Sequence, residues 1–361
     1  MQWWTIGAFA RAARLSPKAL RLYDELGLLP PAHVDPVTGY RFYAPAQLER
    51  AQTVAWLRRL GMPLAQIRTV CDLDPGEAAH EVAAFWAQVE ADTAVRRDLA
   101  AVLVDRLTGR QSAGSGQGGA LEIRYAAGSD IGLVRATHQD TAYAGPGLLA
   151  VADGFGRGGA EASTAAVQTL VKLADGEHLR SGDLLNVMQD AAARANQAIG
   201  EIIPAGDCEE RSGSTLTAML WTGSALAMVH IGDSRAYLLR DGGFFQITHD
   251  HSLVRSLVDE GRLTPPEADS HPQRALLLKA LDGRTPVAPQ VGLQDAQPGD
   301  RFLLCSDGLS AVVPTEQIRT LIATGGEPQQ TVGELLAAVR EAGAPDNVSC
   351  VVADVTSKPV R

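Results

Sequence analysis

The chain has 361 residues, of which 45% are hydrophobic and 20% are charged. This balance is typical of a folded globular protein and excludes disordered, collagen-like and heptad-dominated chains. The four cysteines form no CxxC pattern, so neither a disulfide framework nor a thiolate zinc site is predicted, and a reducing, cytoplasmic location is expected. No basic segment followed by an apolar run opens the sequence, so no signal peptide is predicted.

The longest uncharged stretch is Ser212–His230, which contains Trp221-Thr222-Gly223 near its middle. Its many Ser, Thr and Gly residues favour two buried strands joined by a turn over a membrane span. No membrane partner is therefore expected.

The formal net charge of −10 at pH 7 is unevenly distributed. Residues 1–75 carry nine Lys and Arg against six Asp and Glu, whereas residues 121–361 carry nineteen against thirty. A basic N-terminal part suits phosphate backbones, and an acidic C-terminal part suits cations. On charge alone, a merely solvated surface explains each part equally well.

A run of Gly, Ser, Gln and Ala over residues 111–119 buries nothing and is typical of a flexible linker. The pattern before it is helical, and the pattern after it alternates short apolar strands with Ala- and Leu-rich helices. The sequence therefore predicts a multidomain chain. The expected parts are an N-terminal domain over 1–75, a long helix over 76–108, a linker over 109–120 and a C-terminal domain over 121–361.

Two short helices joined by a tight turn are predicted at the start of the chain. Apolar residues at helical spacing indicate the first helix over Thr5–Ala13. Ser16 before Pro17 is typical of an N-cap and a first helical residue, and Gly27 is typical of the residue after a helix end. The second helix is therefore expected over Pro17–Leu26, which completes a helix-turn-helix arrangement.

The next segment, Leu29–Tyr43, has turn residues at Asp35–Gly39 between two short extended pieces, which predicts a hairpin or wing. Two further helices are expected over Pro45–Leu60 and Pro63–Asp72. A longer helix over 77–107 carries an apolar stripe that favours pairing with a second helix. The stripe consists of Val82, Phe85, Val89, Val95, Leu99, Val102, Leu103 and Leu107.

The stretches LRLYDELGLL and GYRFY lie within a segment, Thr5–Leu73, that resembles the winged helix-turn-helix of the MerR family of transcription regulators. The resemblance implies an all-α winged helix-turn-helix head that binds double-stranded DNA, and a long helix that forms a homodimer. It also implies that Lys18, Arg21 and Tyr23 face the duplex and that Arg41 of the wing reaches a phosphate. A head that binds protein and no longer binds DNA is the open alternative.

Five aspartates of the C-terminal part lie where apolar runs begin or end. Asp153-Gly154 and Asp307-Gly308 each follow such a run, and the remaining three are Asp140, Asp233 and Asp346. Carboxylate and carbonyl oxygens are the ligands that Mg²⁺ and Mn²⁺ prefer, and glycine lets the backbone approach an ion closely. A single Asp-Gly pair is usually only a turn, so the prediction of a metal cluster depends on several occurring together.

Seven blocks resemble, in order, the metal-dependent protein Ser/Thr phosphatases of the PPM family, type 2C. They are SDIGLVRATHQD, LLAVADGFG, GSTLTAMLW, HIGDSRAYLLRDG, ITHDHSLV, PGDRFLLCSDGLS and PDNVSCVV. The resemblance covers Ile123–Val355 and implies an α+β sandwich (α-β-β-α) in which helices flank two antiparallel sheets. It implies hydrolysis of phosphoserine and phosphothreonine in a phosphorylated protein by a water that two Mn²⁺ or Mg²⁺ ions activate.

By the same resemblance, Asp153 and the carbonyl of Gly154 bridge the two metals. Asp307 and Asp346 hold one of them, and Asp140 acts directly or through water. Two such ions polarise a bridging water and orient the phosphoryl group.

Two further residues are assigned by the resemblance. Asp233 matches an acidic ligand of a third, weaker metal. Arg135 matches an arginine that binds the substrate phosphate, and a planar guanidinium suits bidentate contact with a phosphate group.

Three places depart from the family pattern. His138 and Gln139 stand where the family has Asn and an acid, the loop over 155–161 is changed and shortened, and Ala311 replaces an acid associated with the third metal. These departures leave a second interpretation open. In it, the protein is a MerR-type transcription regulator whose phosphatase-like domain is a catalytically weak sensor of a phosphorylated ligand or protein.

Overall fold

The computed structural model describes residues 3–108, 121–176, 184–203 and 212–358. The predicted linker over 109–120 lies outside these residues. The chain divides into two compact units, Met1–Ala87 with Leu253–Arg274 and Gln88–Ser252 with Ala275–Arg361. Within the described ranges, no helix combines the length and the apolar character that a membrane crossing requires.

The first unit opens with two short helices that are capped as the sequence predicts. Thr5 Oγ1 accepts a hydrogen bond from the Ala8 backbone N–H (3.4 Å), and Ser16 Oγ accepts one from the Ala19 backbone N–H (3.0 Å). Gly27 follows the second helix with a φ of +67°, which glycine adopts without steric strain. The elements are β1 (Trp4–Thr5), α1 (Ile6–Ala13), α2 (Pro17–Glu25), β2 (His33–Val34), β3 (Arg41–Tyr43), α3 (Leu48–Arg59), α4 (Leu64–Asp72) and α5 (Pro75–Thr108).

The hairpin between α2 and α3 is confirmed. β2 and β3 pair antiparallel, and β3 also pairs with β1, so that β3 is the central strand of a three-stranded sheet. Asp35 Oδ1 closes the turn by accepting hydrogen bonds from the backbone N–H groups of Val37 (2.8 Å) and Thr38 (2.9 Å). The aspartate therefore supplies the turn geometry that the sequence pattern indicates.

The helices of this unit pack around one apolar core. Phe9 stacks on Tyr43 with ring centroids 4.7 Å apart, and both side chains are fully buried. From α5, Val82 and Phe85 pack against the same core. The side chains of five other residues of the predicted stripe lie outside the described part of the chain, and they are Val95, Leu99, Val102, Leu103 and Leu107.

The second unit contains two antiparallel sheets. Its strands are β4 (Leu121–Asp130), β5 (Asp140–Ala144), β6 (Leu148–Phe155), β7 (Gly213–Ser214), β8 (Leu216–Trp221), β9 (Ala225–Ile231), β10 (Arg235–Arg240), β11 (Gly243–Gln246), β12 (Gln290–Asp295), β13 (Arg301–Cys305) and β14 (Val348–Ser357). One sheet has the order β11-β10-β13-β14-β4 and the other has the order β12-β9-β8-β6-β5, with β7 paired to β6. The predicted pair of buried strands around Trp221 is confirmed as β8 and β9.

Three apolar layers hold these elements together. Alternate residues of each central strand point to opposite faces. On β6, Leu149 and Val151 enter a core between the two sheets, where they meet Phe302 and Val351. The opposite faces of the six-stranded and five-stranded sheets are covered by helices. These helices are α6 (Gly159–Gly176) and α7 (Leu184–Ile202) on the first, and α10 (Asp307–Ser310), α11 (Thr315–Thr324) and α12 (Pro328–Glu341) on the second. The predicted α-β-β-α sandwich is confirmed.

One segment differs from the predicted division. Leu253–Arg274, which carries α8 (Leu253–Asp259) and α9 (Pro265–Asp269), belongs to the first unit and not to the unit formed by its neighbours in sequence. Within that unit, Arg68 Nη2 donates to Glu267 Oε1 at 3.0 Å. Glu267 also accepts from the Thr264 N–H (2.7 Å) at the start of α9. The Arg68–Glu267 contact joins distant parts of the chain, so local sequence patterns do not reveal that this segment belongs to the first unit.

Candidate metal and phosphate site

The five aspartates occupy the ends of strands from both sheets of the second unit. Asp140 opens β5 and Asp153 lies near the end of β6, in the six-stranded sheet. Asp307 opens α10 directly after β13, and Asp346 precedes β14, in the five-stranded sheet. Asp233 lies in the connection from β9 to β10, where the chain passes from one sheet to the other.

The structure brings these carboxyl groups together. Asp140 and Asp153 are directly opposite in the β5–β6 ladder. Asp153 interacts electrostatically with Asp140 and with Asp307. Asp346 acts electrostatically on Asp140 and Asp307, and Asp233 acts on Asp153. The convergence of distant aspartates that the sequence predicts is therefore present.

Burial and mutual repulsion disfavour the charged forms of these groups. Burial, with the charge of Asp307 next, raises the pKa of Asp140 to about 7 and the pKa of Asp233 to about 8. Burial also raises the pKa values of Asp153 and Asp307. With pKa values of about 7 and about 8, Asp140 and Asp233 hold protons near neutral pH when no cation is bound.

Two glycines let the backbone approach closely around these aspartates. A Cβ atom on Gly154 would overlap the carbonyl oxygen of Gly159 and would lie 2.7 Å from that of Gln139. A Cβ atom on Gly308 would overlap the carbonyl oxygen of Asn347. Glycine is thus required at both positions by packing.

Two residues with hydroxyl groups hold the aspartates in place, and the sequence analysis did not identify either of them. Thr215 Oγ1 accepts from the Asp153 N–H (2.9 Å), and the Thr215 N–H donates to the Asp153 carbonyl oxygen (2.8 Å). Ser306 Oγ donates to Asp140 Oδ2 at 2.7 Å and is fully buried. Both hydroxyls stand in blocks that resemble the phosphatase family, Thr215 in GSTLTAMLW and Ser306 in PGDRFLLCSDGLS, which is the one signal that would have indicated them.

Arg135 lies at the edge of the cluster. Its Nη2 donates to Asp346 Oδ2 at 2.7 Å, and 56% of its side chain is exposed. The hydrogen bond to Asp346 raises the pKa of Arg135, with smaller contributions from Asp153 and Asp307. A permanent cation thus borders the acidic groups and remains open to an incoming anion.

The loop that carries Arg135 is held by Asn347. Its Nδ2 donates to the carbonyl oxygens of Ile131 (2.9 Å) and Thr137 (3.0 Å), and its Oδ1 accepts from the Gln139 N–H (2.7 Å). Asn347 is buried, so these bonds are shielded from water. The loop is therefore rigidly placed beside the carboxyl groups.

The residues that depart from the family pattern have defined positions. Gln139 Nε2 donates to the Gly156 carbonyl oxygen at 2.7 Å, so this side chain fixes the shortened loop after β6. His138 Nε2 is buried without a hydrogen-bond partner among the described residues. Ala311 caps the C-terminal end of α10.

The donor set fits a hard divalent cation. Its residues supply only oxygen ligands. The carboxyl groups are crowded and have little compensating positive charge nearby, and a bound Mn²⁺ or Mg²⁺ would supply that charge. As they stand, no three His, Cys, Asp or Glu side chains in the described ranges form a group that could hold an ion.

In the first unit, the predicted DNA-facing residues separate into two classes. Lys18 and Arg21 are exposed on α2. Tyr23 is 6% exposed and packs in the core, so the prediction that it faces a duplex is wrong. Its spacing from Leu20 places it on the buried face of the helix. Arg41 is half-buried, and its Nε donates to Asp24 Oδ2 at 2.6 Å.

Two family models match the chain. The model described as MerR HTH family regulatory protein matches residues 4–74. The model described as Protein phosphatase 2C matches residues 136–349, which is more than half of the chain.

The chain is also similar to named phosphatases. The Ser/Thr protein phosphatase PstP of Mycobacterium tuberculosis is 48% identical over 237 residues, which is 65% of this chain and 45% of the relative. A putative protein phosphatase 2C-type of Streptococcus pyogenes is 30% identical over 244 residues, which is 64% of this chain and 98% of the relative. The chain thus spans about half the length of the mycobacterial relative.

Solved structures resemble the fold. The crystal structure of the Mycobacterium tuberculosis phosphatase PstP/Ppp matches with a TM-score of 0.60 and 46% identity, covering 64% of this chain and 98% of that one. A structure of the catalytic domain of PstP in complex with two manganese ions matches with a TM-score of 0.60 and 45% identity, covering 65% and 99%.

Proposed function

Because the chain belongs to the protein phosphatase 2C family, we propose that its second unit is a Mn²⁺- or Mg²⁺-dependent phosphatase of phosphoserine and phosphothreonine in proteins. The observation that carries this proposal is the convergence of the Asp140, Asp153 and Asp307 carboxyl groups, which act electrostatically on one another. Carboxylates that come from separate parts of the chain repel one another in this way, and a bound cation would relieve the repulsion.

The ligands that we assign follow from this cluster. Asp153, with the backbone of Gly154, lies between Asp140 and Asp307 and is the residue best placed to serve two ions. Asp307 and Asp346 would be ligands of one of the two ions. We assign Asp233 to a third, more weakly bound ion. When bound, such cations lower the pKa of water towards neutrality and neutralise phosphate charge.

Arg135 is assigned to the substrate phosphate. Its guanidinium is exposed, carries a permanent charge and can present two parallel N–H donors to phosphate oxygens. The bond to Asp346 and the support of the loop by Asn347 orient the group before a substrate arrives. Preorganised donors of this kind stabilise charge on a phosphoryl group without having to reorganise.

For the first unit we propose a winged helix-turn-helix that binds double-stranded DNA and dimerises through α5. The match to MerR regulatory proteins supports the DNA-binding role, as do the exposed Lys18 and Arg21 on α2. Arg41 lies on the hairpin strand, where its Nε is paired with Asp24 and 30% of its side chain is exposed. Dimerisation and a cytoplasmic location remain predictions.

The decisive experiment measures hydrolysis of p-nitrophenyl phosphate with added Mn²⁺, for the full chain and for Asp153→Ala. We expect metal-dependent turnover that falls by roughly a thousandfold or more in the variant, since the residue proposed to serve two ions is removed. Equal, metal-independent rates for both proteins would instead favour a sensor of a phosphorylated ligand or protein.

A further inference from the structure

We propose that His251 is a positioning residue that fixes the loop carrying Asp233. The inference rests on the proposed function, since it assigns Asp233 to a metal ion. His251 stands seventeen residues further along the chain than Ser234, beyond the hairpin of β10 and β11. Its action on Asp233 is therefore a matter of tertiary contact.

The first observation is a two-point clamp on Gly232, the residue before Asp233. The Gly232 N–H donates to His251 Nδ1 at 3.2 Å, and the His251 N–H donates to the Gly232 carbonyl oxygen at 2.7 Å. Gly232 has a φ of +105°, and a Cβ atom there would lie 2.6 Å from Thr215 Cβ. The clamp thus holds a backbone conformation that only glycine adopts readily.

The clamp fixes the protonation form of the ring. Because Nδ1 accepts a hydrogen bond from a backbone N–H, it carries no proton, and the neutral ring has its proton on Nε2. Burial lowers the pKa of His251 to about 3, which agrees with a neutral acceptor. A side chain without an acceptor at this atom would leave the Gly232 N–H without its partner.

A second histidine supports the ring and ties down the other side of the loop. His230 is fully buried and stacks on His251 with ring centroids 4.9 Å apart. His230 Nδ1 is 2.9 Å from Thr217 Oγ1, which in turn is 2.8 Å from the Ser234 carbonyl oxygen. Asp233 is therefore flanked on both sides by residues whose backbones are held.

The loop is also joined to the main acidic cluster. Ser234 Oγ and Thr215 Oγ1 are 2.7 Å apart, and Thr215 is the residue that binds the backbone of Asp153 in both directions. A chain of buried hydroxyl contacts thus connects Asp233 to the proposed metal-bridging residue. Removing the His251 acceptor leaves only the His251 backbone N–H to hold Gly232 on this side of the connection.

His251 itself is anchored. Its carbonyl oxygen accepts from the Leu278 N–H at 2.8 Å. The preceding residue, Asp250, is buried and accepts from Arg235 Nη2 at 2.7 Å. The backbone that carries the His251 ring is therefore held in place, and the ring can in turn hold Gly232 in place.

The test measures Mn²⁺ binding to the full chain by isothermal titration calorimetry, with turnover as a second readout. His251→Phe keeps a planar ring for the stack on His230 and removes the acceptor. We expect the weakest Mn²⁺ binding step to weaken about tenfold or more, as is usual when a partner of a ligand residue is lost. Wild-type Mn²⁺ affinity in this variant overturns the proposal.

Two comparison variants separate positioning from general damage. His251→Asn restores an acceptor close to the Nδ1 position and is expected to stay within about threefold of the wild type. His249→Ala removes an exposed imidazole two residues away and is expected to bind Mn²⁺ like the wild type. A loss in His251→Asn as large as that in His251→Phe contradicts the role of the acceptor.

A double variant tests whether His251 acts through Asp233. In an Asp233→Asn background, His251→Phe is expected to cause no further loss of Mn²⁺ affinity, because the effects of coupled residues are not additive. A full additional loss in that background overturns the proposal.

A measurement on the wild type covers the case in which His251→Phe does not fold. Side-chain ¹⁵N NMR of the histidines distinguishes the two neutral tautomers, and we expect His251 to carry its proton on Nε2. A proton on Nδ1 contradicts the clamp. Failure of the proposed function has a different signature, since Asp153→Ala would then bind Mn²⁺ as the wild type does.

Discussion

Asp140 and Asp153 face each other as directly opposed residues of the β5–β6 ladder, and burial together with the charge of Asp140 raises the pKa of Asp153. Like charges in opposed positions of an antiparallel pair destabilise a sheet. The sheet therefore contains, at one end of two neighbouring strands, a pair that favours either a shared proton or a cation. An arrangement that suits a bound ion is thus unfavourable for the metal-free fold when both groups are charged. This leads to a prediction about stability.

The stability of the metal-free protein is expected to fall as the pH rises from 5 to 8.5. A carboxyl whose pKa is higher in the folded than in the unfolded chain keeps a proton that the unfolded chain releases. Asp140 moves from 3.8 to about 7 and Asp233 from 3.8 to about 8, so the free energy of unfolding decreases with pH across that window. The effect is on the order of a few kcal/mol, and thermal melting at several pH values measures it.

Added Mn²⁺ is expected to raise the melting temperature more at pH 8 than at pH 6, because the ion binds the deprotonated carboxylates. Asp140→Asn should flatten the pH dependence of the metal-free protein. Asp190→Asn, which changes an exposed acid on α7, should leave it unchanged. A melting temperature that rises steadily with pH in the metal-free wild type contradicts the assignment.

Arg135→Ala is expected to raise the KM for p-nitrophenyl phosphate by roughly tenfold or more, because a charge-assisted contact to the phosphate is lost. Arg135→Lys should recover only part of this loss, since an ammonium cannot form the bidentate contact. Steady-state kinetics at saturating Mn²⁺ give both values.

Arg124→Ala is the matched control for Arg135. Arg124 is 60% exposed on β4 and lies 3.8 Å from Glu327, a distance typical of a weak surface ion pair. Its removal should leave the kinetics unchanged. Equal KM values for Arg135→Ala and Arg124→Ala would exclude Arg135 from the phosphate site.

Gly154→Ala is expected to destabilise the second unit by about 3 kcal/mol or more, since the added methyl group meets two backbone carbonyl oxygens that cannot yield independently. Mn²⁺ binding should be lost with it. Gly147→Ala, directly before β6, places its methyl group in open space and should melt like the wild type. Thermal melting of the two variants side by side provides the measurement, and similar melting temperatures would disprove the packing argument.

The double variant Lys18→Ala/Arg21→Ala is expected to weaken binding to genomic DNA fragments and to reduce the slope of log K against log salt by about two, because each lost phosphate contact removes about one unit. Fluorescence anisotropy over a salt series measures the slope. Lys172→Ala/Arg194→Ala removes two exposed charges of the second unit and should not change it. An intact protein that fails to bind DNA at low salt would favour the alternative of a protein-binding head.

The acidic site could be predicted from the sequence because its residues sit at recognisable ends of apolar runs. The Asp153-Gly154 and Asp307-Gly308 pairs each combine a carboxylate with a glycine that allows close backbone approach. The contacts of Thr215 and Ser306 could not be predicted, since a hydroxyl in a buried strand has many potential partners and only the tertiary fold selects one. The same holds for the clamp of His251 on Gly232.

In the first unit, residue spacing was more informative than the family resemblance for one residue of α2. Leu20 and Tyr23 are three residues apart on α2, a spacing that predicts a shared buried face, and both are buried. The resemblance to a DNA-binding family nevertheless suggested a duplex-facing role for Tyr23, and here the helical spacing gave the correct answer. The grouping of Leu253–Arg274 with the first unit depends on contacts such as that of Arg68 with Glu267, which span the chain and leave no local pattern.

The distribution of the acidic residues over both sheets has a consequence during synthesis. The earliest of them, Asp140, opens β5, whereas the last, Asp346, precedes the strand β14 that pairs with both β13 and β4. A growing polypeptide therefore cannot assemble all five aspartates until Asp346 and the strand β14 have left the ribosome. A product that ends before β14 lacks one of these acidic groups and a central strand of the five-stranded sheet.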